Sequence, residues 1–345
     1  MQKGRGTKWF IEGDLCACFD TIDHDVLISI LKENFQDNRF IRLMHLLLKA
    51  GYLENWKYNA TYSGVPQGSI VGPVLSNLLL DRLDQFVEQK LIPENNRSRQ
   101  RKTNPEYGKL TVQLSEMRKR GEWESARLLR QQVQKIPSKT PDDPNYRCLW
   151  YVRYADDFLL GLAGSKNEAE KIKDSISAFL KDELKLTLNQ DKTLVTHARD
   201  GKAKFLGYEI HVLHADDKHD QRAQRCINGS IGLCIPHRVK QDKCARYMCG
   251  EKPIHLPQRT IDTAYSIVSQ YQAEYRGIVQ YYKMAYNLHT LSHLKHVMEV
   301  SLVKTLASKH KTTCRKVYRQ YGAMIENEEG EKRKGLQVIV NRPKP

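Results

Sequence analysis

Two short apolar stretches of this chain each run into aspartate, and that pairing limits its folds more than any other feature. Residues 8–18, KWFIEGDLCAC, read as a strand ending near Asp14. Residues 150–161, WYVRYADDFLLG, read as strand–turn–strand with Ala155-Asp156-Asp157 at the bend. Adjacent carboxylates held between apolar strands repel each other and are costly unless a cation sits with them. Mg²⁺ suits such a place, because it is hard, takes oxygen ligands and shares its shell between a few carboxylates and substrate phosphates. Three carboxylates from two neighbouring strands would hold two metals about 3.5–4 Å apart, the arrangement that serves in-line phosphoryl transfer.

Three further motifs lie between and after these strands. In Gly64-Val65-Pro66-Gln67-Gly68-Ser69 the glycines permit close backbone approach to a ligand, and Gln67 offers a paired donor and acceptor. Leu186-Thr187-Leu188-Asn189-Gln190-Asp191-Lys192-Thr193 carries a lysine that could reach a triphosphate as a point charge or proton donor. Phe205-Leu206-Gly207-Tyr208 opens a strand running to Val212, with a glycine that lets another element pack closely. Helices are expected over 23–34 and 37–50, the second stopped by Gly51, and from Gly72-Pro73 to about Lys90. Ser165-Lys166-Asn167-Glu168 reads as a capping box opening a helix that buries Ile172, Ile176, Phe179 and Leu180.

A polar insertion separates the helix ending near Lys90 from the strand at Trp150. Residues 97–135 hold eleven Lys/Arg against four Glu, with helical runs at 109–119 and 122–135, followed by Pro137, Pro141 and Pro144. A solvated pair of surface helices and a basic appendage on a nucleic-acid groove both fit that pattern. From about residue 231 the character changes. A long helix is expected over 260–287, with Tyr265, Tyr271, Tyr275, Tyr282 and Tyr286 near one stripe, and a second over 292–309. Residues 300–325 carry six Lys/Arg and no acid. A tyrosine stripe can be core, or it can stack bases beside phosphate-binding cations.

The charge balance sharpens the choice of partner. With 56 Lys+Arg against 40 Asp+Glu the formal charge is +16, which favours a polyanion, most simply nucleic acid. No apolar run approaches the roughly 18 residues needed to span a bilayer, so no membrane partner is expected. The opening MQKGRGTKWF lacks the apolar region of a secretory signal, so secretion is not expected. Eight cysteines in 345 residues do not make a disulfide scaffold. The stretch with Cys226, Cys234, His237, Cys244 and Cys249 lacks the tight C-x-x-C pairs of zinc ribbons, which leaves ordinary reduced thiols as the simpler reading.

The ordered set DLCACFD, GVPQGS, YVRYADDFLLG, LTLNQDKT and FLGY resembles the palm motifs of reverse transcriptases. The insertion ending in IPSKTPDDPNYRCLWYVRYADD, with the later YRGIVQYYKMAYN and TLASKHKT, is similar to the group II intron reverse transcriptase/maturase family over roughly residues 5–341. That resemblance implies an α+β fold, a right-hand polymerase palm followed by an α-helical thumb or maturase domain. It implies a palm with partial fingers over 1–230, including the basic insertion at about 90–147, a helical domain over 231–325 and a tail over 326–345. By the same similarity Asp14, Asp156 and Asp157 are the catalytic carboxylates and the ligands of two Mg²⁺ ions. Phe19 would pack under the nucleotide sugar and reject a 2′-hydroxyl, Gln67 and Gly68 would line the nucleotide and template, and Lys192 would face the incoming phosphates.

The function so implied is RNA-directed DNA polymerisation joined to intron RNA binding and splicing, with intron RNA, an RNA template, a DNA primer and dNTPs as partners. RNA contacts are expected at Arg118, Lys119 and Arg120 in the insertion and at Tyr281, Tyr282, Lys309 and Lys311 in the helical domain. The two basic stretches would form one track if the fold brings them to one side. The chain begins almost inside the first carboxylate motif, so most of the family's fingers are expected to be missing. It shows no HNH-type Cys/His pattern, so endonuclease activity is not expected. A non-polymerising maturase that uses the palm as a scaffold is the alternative, and a decayed reading frame is a third.

Overall fold

The computed structural model describes residues 6–65, 69–140, 143–215, 218, 227–326, 330 and 332–340. The chain divides into two compact units, residues 1–206 with 210–232 and residues 207–209 with 233–345.

The first unit is built on a four-stranded antiparallel sheet in the spatial order Leu149–Tyr154, Asp157–Leu162, Trp9–Gly13, Val195–His197. The Asp157–Leu162 strand is almost wholly buried and pairs on both edges, which explains its run of apolar residues without alternation. Gly13 pairs with Phe158, and a Cβ at residue 13 would stand 2.0 Å from that ring, so glycine is required for the two strands to pack. Helices cover the sheet: His24–Asn34, capped by the Asp23 side chain, Gly72–Gln85, and Lys166–Glu183. The Ser165–Glu168 capping box is formed in both directions. Ile172, Ile176 and Leu180 are buried, and Phe179 stacks on Phe86 with centroids 4.2 Å apart.

Several local expectations are corrected. The first strand stops at Gly13, because the chain turns through a left-handed Ala17 (φ 43°) into the short Cys18–Thr21 helix, so Cys16 and Cys18 do not lie in a strand. The helix from Gly72 is regular only to Gln85 and continues as a wider π turn over Phe86–Leu91. The strand expected from Phe205 to Val212 is two strands, Ala203–Phe205 and Tyr208–Val212, separated by left-handed Leu206 and Gly207. The insertion is a helical hairpin, Pro105–Lys119 against Trp123–Lys135, closed at its base by the bridges Arg97↔Arg147 and Thr103↔Lys139. An unforeseen two-stranded hairpin, Tyr52–Glu54 with Lys57–Asn59, follows the Asn38–Lys49 helix.

The second unit is mainly helical. The tyrosine-bearing helix is Ala264–Tyr281, shorter at both ends than expected because Thr263 caps its start, and it packs with Leu291–Lys309. The latter is buried nearly all round, from Leu291 through Leu306, and is the core of this unit. Tyr271 is buried against it, its hydroxyl 2.8 Å from Ser301 Oγ and 3.2 Å from Thr305 Oγ1. The mixed architecture is the expected α+β one, an antiparallel sheet with packed helices followed by a helical unit.

Candidate active site

The three aspartates meet at one end of the sheet. Asp14 follows immediately on the Trp9–Gly13 strand, while Asp156 and Asp157 lie at the turn joining its neighbour Asp157–Leu162 to the Leu149–Tyr154 strand beyond. Tyr154 pairs with Asp157, so only Ala155 and Asp156 form the bend, and Ala155 takes φ 53°. A left-handed alanine costs energy that the surroundings must offset. Here the offset is visible. Arg153 donates through Nη1 to the Ala155 carbonyl at 2.7 Å and through Nε and Nη2 to the two oxygens of Asp84, at 2.8 and 2.6 Å. Tyr151 donates to the same Asp84 carboxylate at 2.8 Å, which fastens the carboxylate-bearing turn to the Gly72–Gln85 helix.

Asp14 is held by a second segment. The Asn189 amide donates to the Asp14 carbonyl at 2.9 Å and the Asn189 side chain to Oδ2 at 3.3 Å. Lys192 Nζ stands 3.0 Å from the same Oδ2, and the Leu15↔Leu188 bridge and the Cys16 N–H to Thr187 carbonyl bond keep the two segments in register. LTLNQDKT therefore reaches the first carboxylate through both its asparagine and its lysine.

The electrostatics are those of a crowded anion. Burial pushes the Asp157 carboxyl above its ordinary value of 3.8, and the like charges of Asp156 and Asp14 push it further, against a smaller opposing pull from Lys192. The hydrogen bond to Asp14 and its charge raise the Lys192 ammonium, which is held protonated. Burial and the negative charge of Asp156 push the Cys18 thiol up to about 11, so it is a packing group and not a nucleophile. Among the described residues no three His, Cys, Asp or Glu side chains already stand as a metal-ligand set. The donor chemistry, three carboxylates with one lysine to offset them, nevertheless suits a hard divalent cation.

Phe19 is half-buried in the short helix that follows Asp14. Its carbonyl accepts from the Val65 N–H at 2.6 Å, the Ile22 carbonyl accepts from the Gly64 N–H at 2.7 Å, and His24 Nε2 lies 2.7 Å from the Gly64 carbonyl. Gly64 has φ +79° and a Cβ there would meet the Phe19 carbonyl at 2.5 Å, so this glycine is what lets the loop dock. Gln67 and Gly68 lie outside the described residues.

The remaining expected contacts divide. Arg118, Lys119 and Arg120 are exposed at the end of the first insertion helix. Lys311 is exposed, and Lys309 donates to the Thr260 carbonyl at 3.1 Å. Tyr282 is corrected as a base-stacking group: its ring is buried in the second unit and its hydroxyl donates to the Gly207 carbonyl at 3.2 Å. Tyr281 keeps a half-exposed ring and stacks at 6.0 Å on Tyr208, whose hydroxyl donates to the Tyr281 carbonyl. The two basic stretches belong to different units, residues 97–135 to the first and 300–325 to the second. Sequence reasoning missed Arg153, Asp84, Tyr151 and Asn189. Asn189 sits inside a motif already singled out for Lys192, but nothing local links Asp84 to a turn some seventy residues later.

Residues 1–106 match the family described as reverse transcriptase (RNA-dependent DNA polymerase), and residues 234–340 match type II intron maturase. The group II intron-encoded protein LtrA of Lactococcus lactis subsp. cremoris is 38% identical over 90% of this chain and 54% of its own length. The putative COX1/OXI3 intron 1 protein of Saccharomyces cerevisiae is 35% identical over 98% of this chain and 42% of its own. The chain thus spans about half the length of these curated relatives. Among solved structures, telomerase from Candida albicans in complex with a TWJ fragment of telomeric RNA superposes with a TM-score of 0.40 at 11% identity, covering 91% of this chain and 47% of that one.

Proposed function

Because the chain belongs to the family of group II intron-encoded reverse transcriptases and maturases, we propose that it is an RNA-directed DNA polymerase whose second unit grips intron RNA. The observation that carries this reading is the convergence of Asp14, Asp156 and Asp157 at one sheet end beside Lys192. Residues 1–230 act as palm, 231–325 as thumb or maturase domain, and 326–345 as a tail.

Asp14, Asp156 and Asp157 would hold two Mg²⁺ ions. When bound, these would polarise the primer's terminal hydroxyl and neutralise the departing diphosphate. The chain's own groups do the placing. Lys192, paired with Asp14 when no nucleotide is present, offers a protonated ammonium to the incoming phosphates. Arg153 and Asp84 fix the turn so that both its carboxylates are aimed before substrate arrives, which lowers the cost of orienting them. Phe19 lies under the sugar and crowds a 2′-hydroxyl, and by the family resemblance Gln67 and Gly68 would line the nucleotide and template. Phosphate contacts come from the exposed Arg118, Lys119 and Arg120 and from Lys311.

No helix among the described residues is long and apolar enough to cross a membrane. A bacterial cytoplasm or an organellar matrix is the proposed place of action. The test is Mg²⁺-dependent primer extension on an RNA template, with wild type beside Asp156→Ala. Extension by wild type alone supports the polymerase. Salt-sensitive RNA binding without extension leaves the splicing role standing by itself, and neither activity refutes the reading.

A further inference from the structure

The hairpin over Tyr52–Asn59 carries a feature that folding alone does not account for. Its strands pair Tyr52↔Asn59, Leu53↔Tyr58 and Glu54↔Lys57, which leaves Asn55 and Trp56 as a two-residue turn. Both have positive φ, 50° and 61°, as a type I′ turn requires. Asparagine tolerates that conformation, but the second position ordinarily takes glycine, and a bulky side chain there is strained. Trp56 is also 97% exposed. An indole placed where it strains the backbone and buries nothing weakens the free protein twice, and such outliers mark places where a ligand repays the cost.

The surroundings say what that ligand is. Leu53 and Tyr58, opposite each other across the ribbon, are 71% and 63% exposed, and Tyr52, next to Leu53 in the same strand and so on the ribbon's other face, is exposed as well. The side chains are mostly rings, and rings on a twisted ribbon suit successive bases better than they suit a flat apolar partner. Lys49 and Lys57 are exposed alongside. Over residues 38–62 the sequence has four Lys/Arg and a single acid, Glu54, so the patch is complementary to a polyanion.

We propose that the Tyr52–Asn59 hairpin is a stacking platform for unpaired RNA bases, with the Trp56 indole capping a base and Lys49 and Lys57 contacting phosphates. The inference rests on the RNA-binding function proposed above. A base stacked on a tip aromatic must be free of its partner, so the hairpin selects single-stranded segments of a folded RNA over duplex. Its glycine-less turn then has a purpose, since an Asn-Gly tip would form the same ribbon without the stacking ring.

Filter binding of the full chain to a twelve-nucleotide single-stranded RNA (on the order of one stacking site's length) and to duplex RNA of equal length tests this. Trp56→Gly relieves the strained φ, so its Tm should equal or exceed that of wild type, while its affinity for the single strand falls roughly 5- to 150-fold and duplex binding hardly changes. Trp56→Phe keeps a ring and should retain most of the affinity. Equal single-strand binding by Trp56→Gly and wild type overturns the proposal while leaving RNA binding intact. A wild-type dimer that Trp56→Gly dissolves would overturn it too, by showing the face to be a protein interface. A wild-type chain that binds neither RNA refutes the function proposed above along with it.

Discussion

The carboxylate end of the first unit and the polar core of the second handle charge in opposite ways. In the second unit Glu274 receives Arg259 at 2.5 Å on one oxygen and the Tyr247 hydroxyl on the other, and Arg259 lies over the Tyr271 ring with centroid distance 4.6 Å. The Glu274 carboxyl is held below its ordinary 4.5: burial opposes this, but the bonds from Arg259 and Tyr247 and the positive charge of Arg259 prevail. At the sheet end of the first unit the Asp157 carboxyl is raised instead, by burial and by two like charges. A charge that finds its partners within the fold serves the fold. A cluster left with an excess of one sign serves something that is not part of the chain.

Five substitutions would break or sharpen that contrast. The largest effect is expected of Asp14→Asn, which should lower primer extension by roughly 10³-fold or more while circular dichroism stays unchanged, as the loss of a metal-binding carboxylate implies. Retained extension would remove Asp14 from the site. Next comes Arg153→Ala, which strips two bonds from Asp84 and one from Ala155. It should lower primer extension by roughly 10- to 100-fold without altering the Mg²⁺ requirement, as a misplaced turn would. Glu274→Ala should cost about 1–2 kcal/mol of stability, less than a fully buried pair because the glutamate is 40% exposed, and should leave extension by the folded fraction unchanged.

The smallest effect concerns pH, and its sign differs between the two regions. A depressed Glu274 lends stability that is complete above its ordinary 4.5 and disappears as pH falls through the lower folded value. A raised Asp157 does the reverse: the stability tied to its neutral carboxyl is complete below 3.8 and disappears as pH rises through the higher folded value. Thermal melts should therefore show Asp157→Asn matching wild type in acid and exceeding it by about 1–2 °C near neutrality. Glu274→Gln should lose most of its deficit in acid. Parallel curves for both variants would erase the distinction.

Much of the site was legible because its chemistry is local in sequence. Asp14, Asp156 and Asp157 each sit where an apolar strand meets a bend, and the capping box at Ser165 is complete within four residues. The helices His24–Asn34, Asn38–Lys49 and Leu291–Lys309 followed the apolar spacing to within a residue or so, whereas the tyrosine-bearing one came out shorter at both ends. What escaped was set by distant pairings. The end of the first strand depends on a left-handed Ala17, which no side-chain pattern announces. The Tyr52–Asn59 hairpin lacks the Asn-Gly signal because Trp56 occupies the glycine position. Tyr282 read as one of a stripe, yet its ring is packed in the second unit's apolar core and its hydroxyl donates to the Gly207 carbonyl. Nothing in the sequence pairs Arg153 with a distant acid, and only the packed Gly72–Gln85 helix brings Asp84 to it.

The central claim, that the three aspartates form a cation site and not a structural cluster, is tested most directly by thermal melts in a Mg²⁺ series at neutral pH. A cation bound only by the folded state raises Tm as its concentration passes the dissociation constant. Wild type should show that rise, and Asp157→Asn, starting from an equal or higher Tm, should show little of it. Equal Mg²⁺ responses in the two proteins would contradict the account.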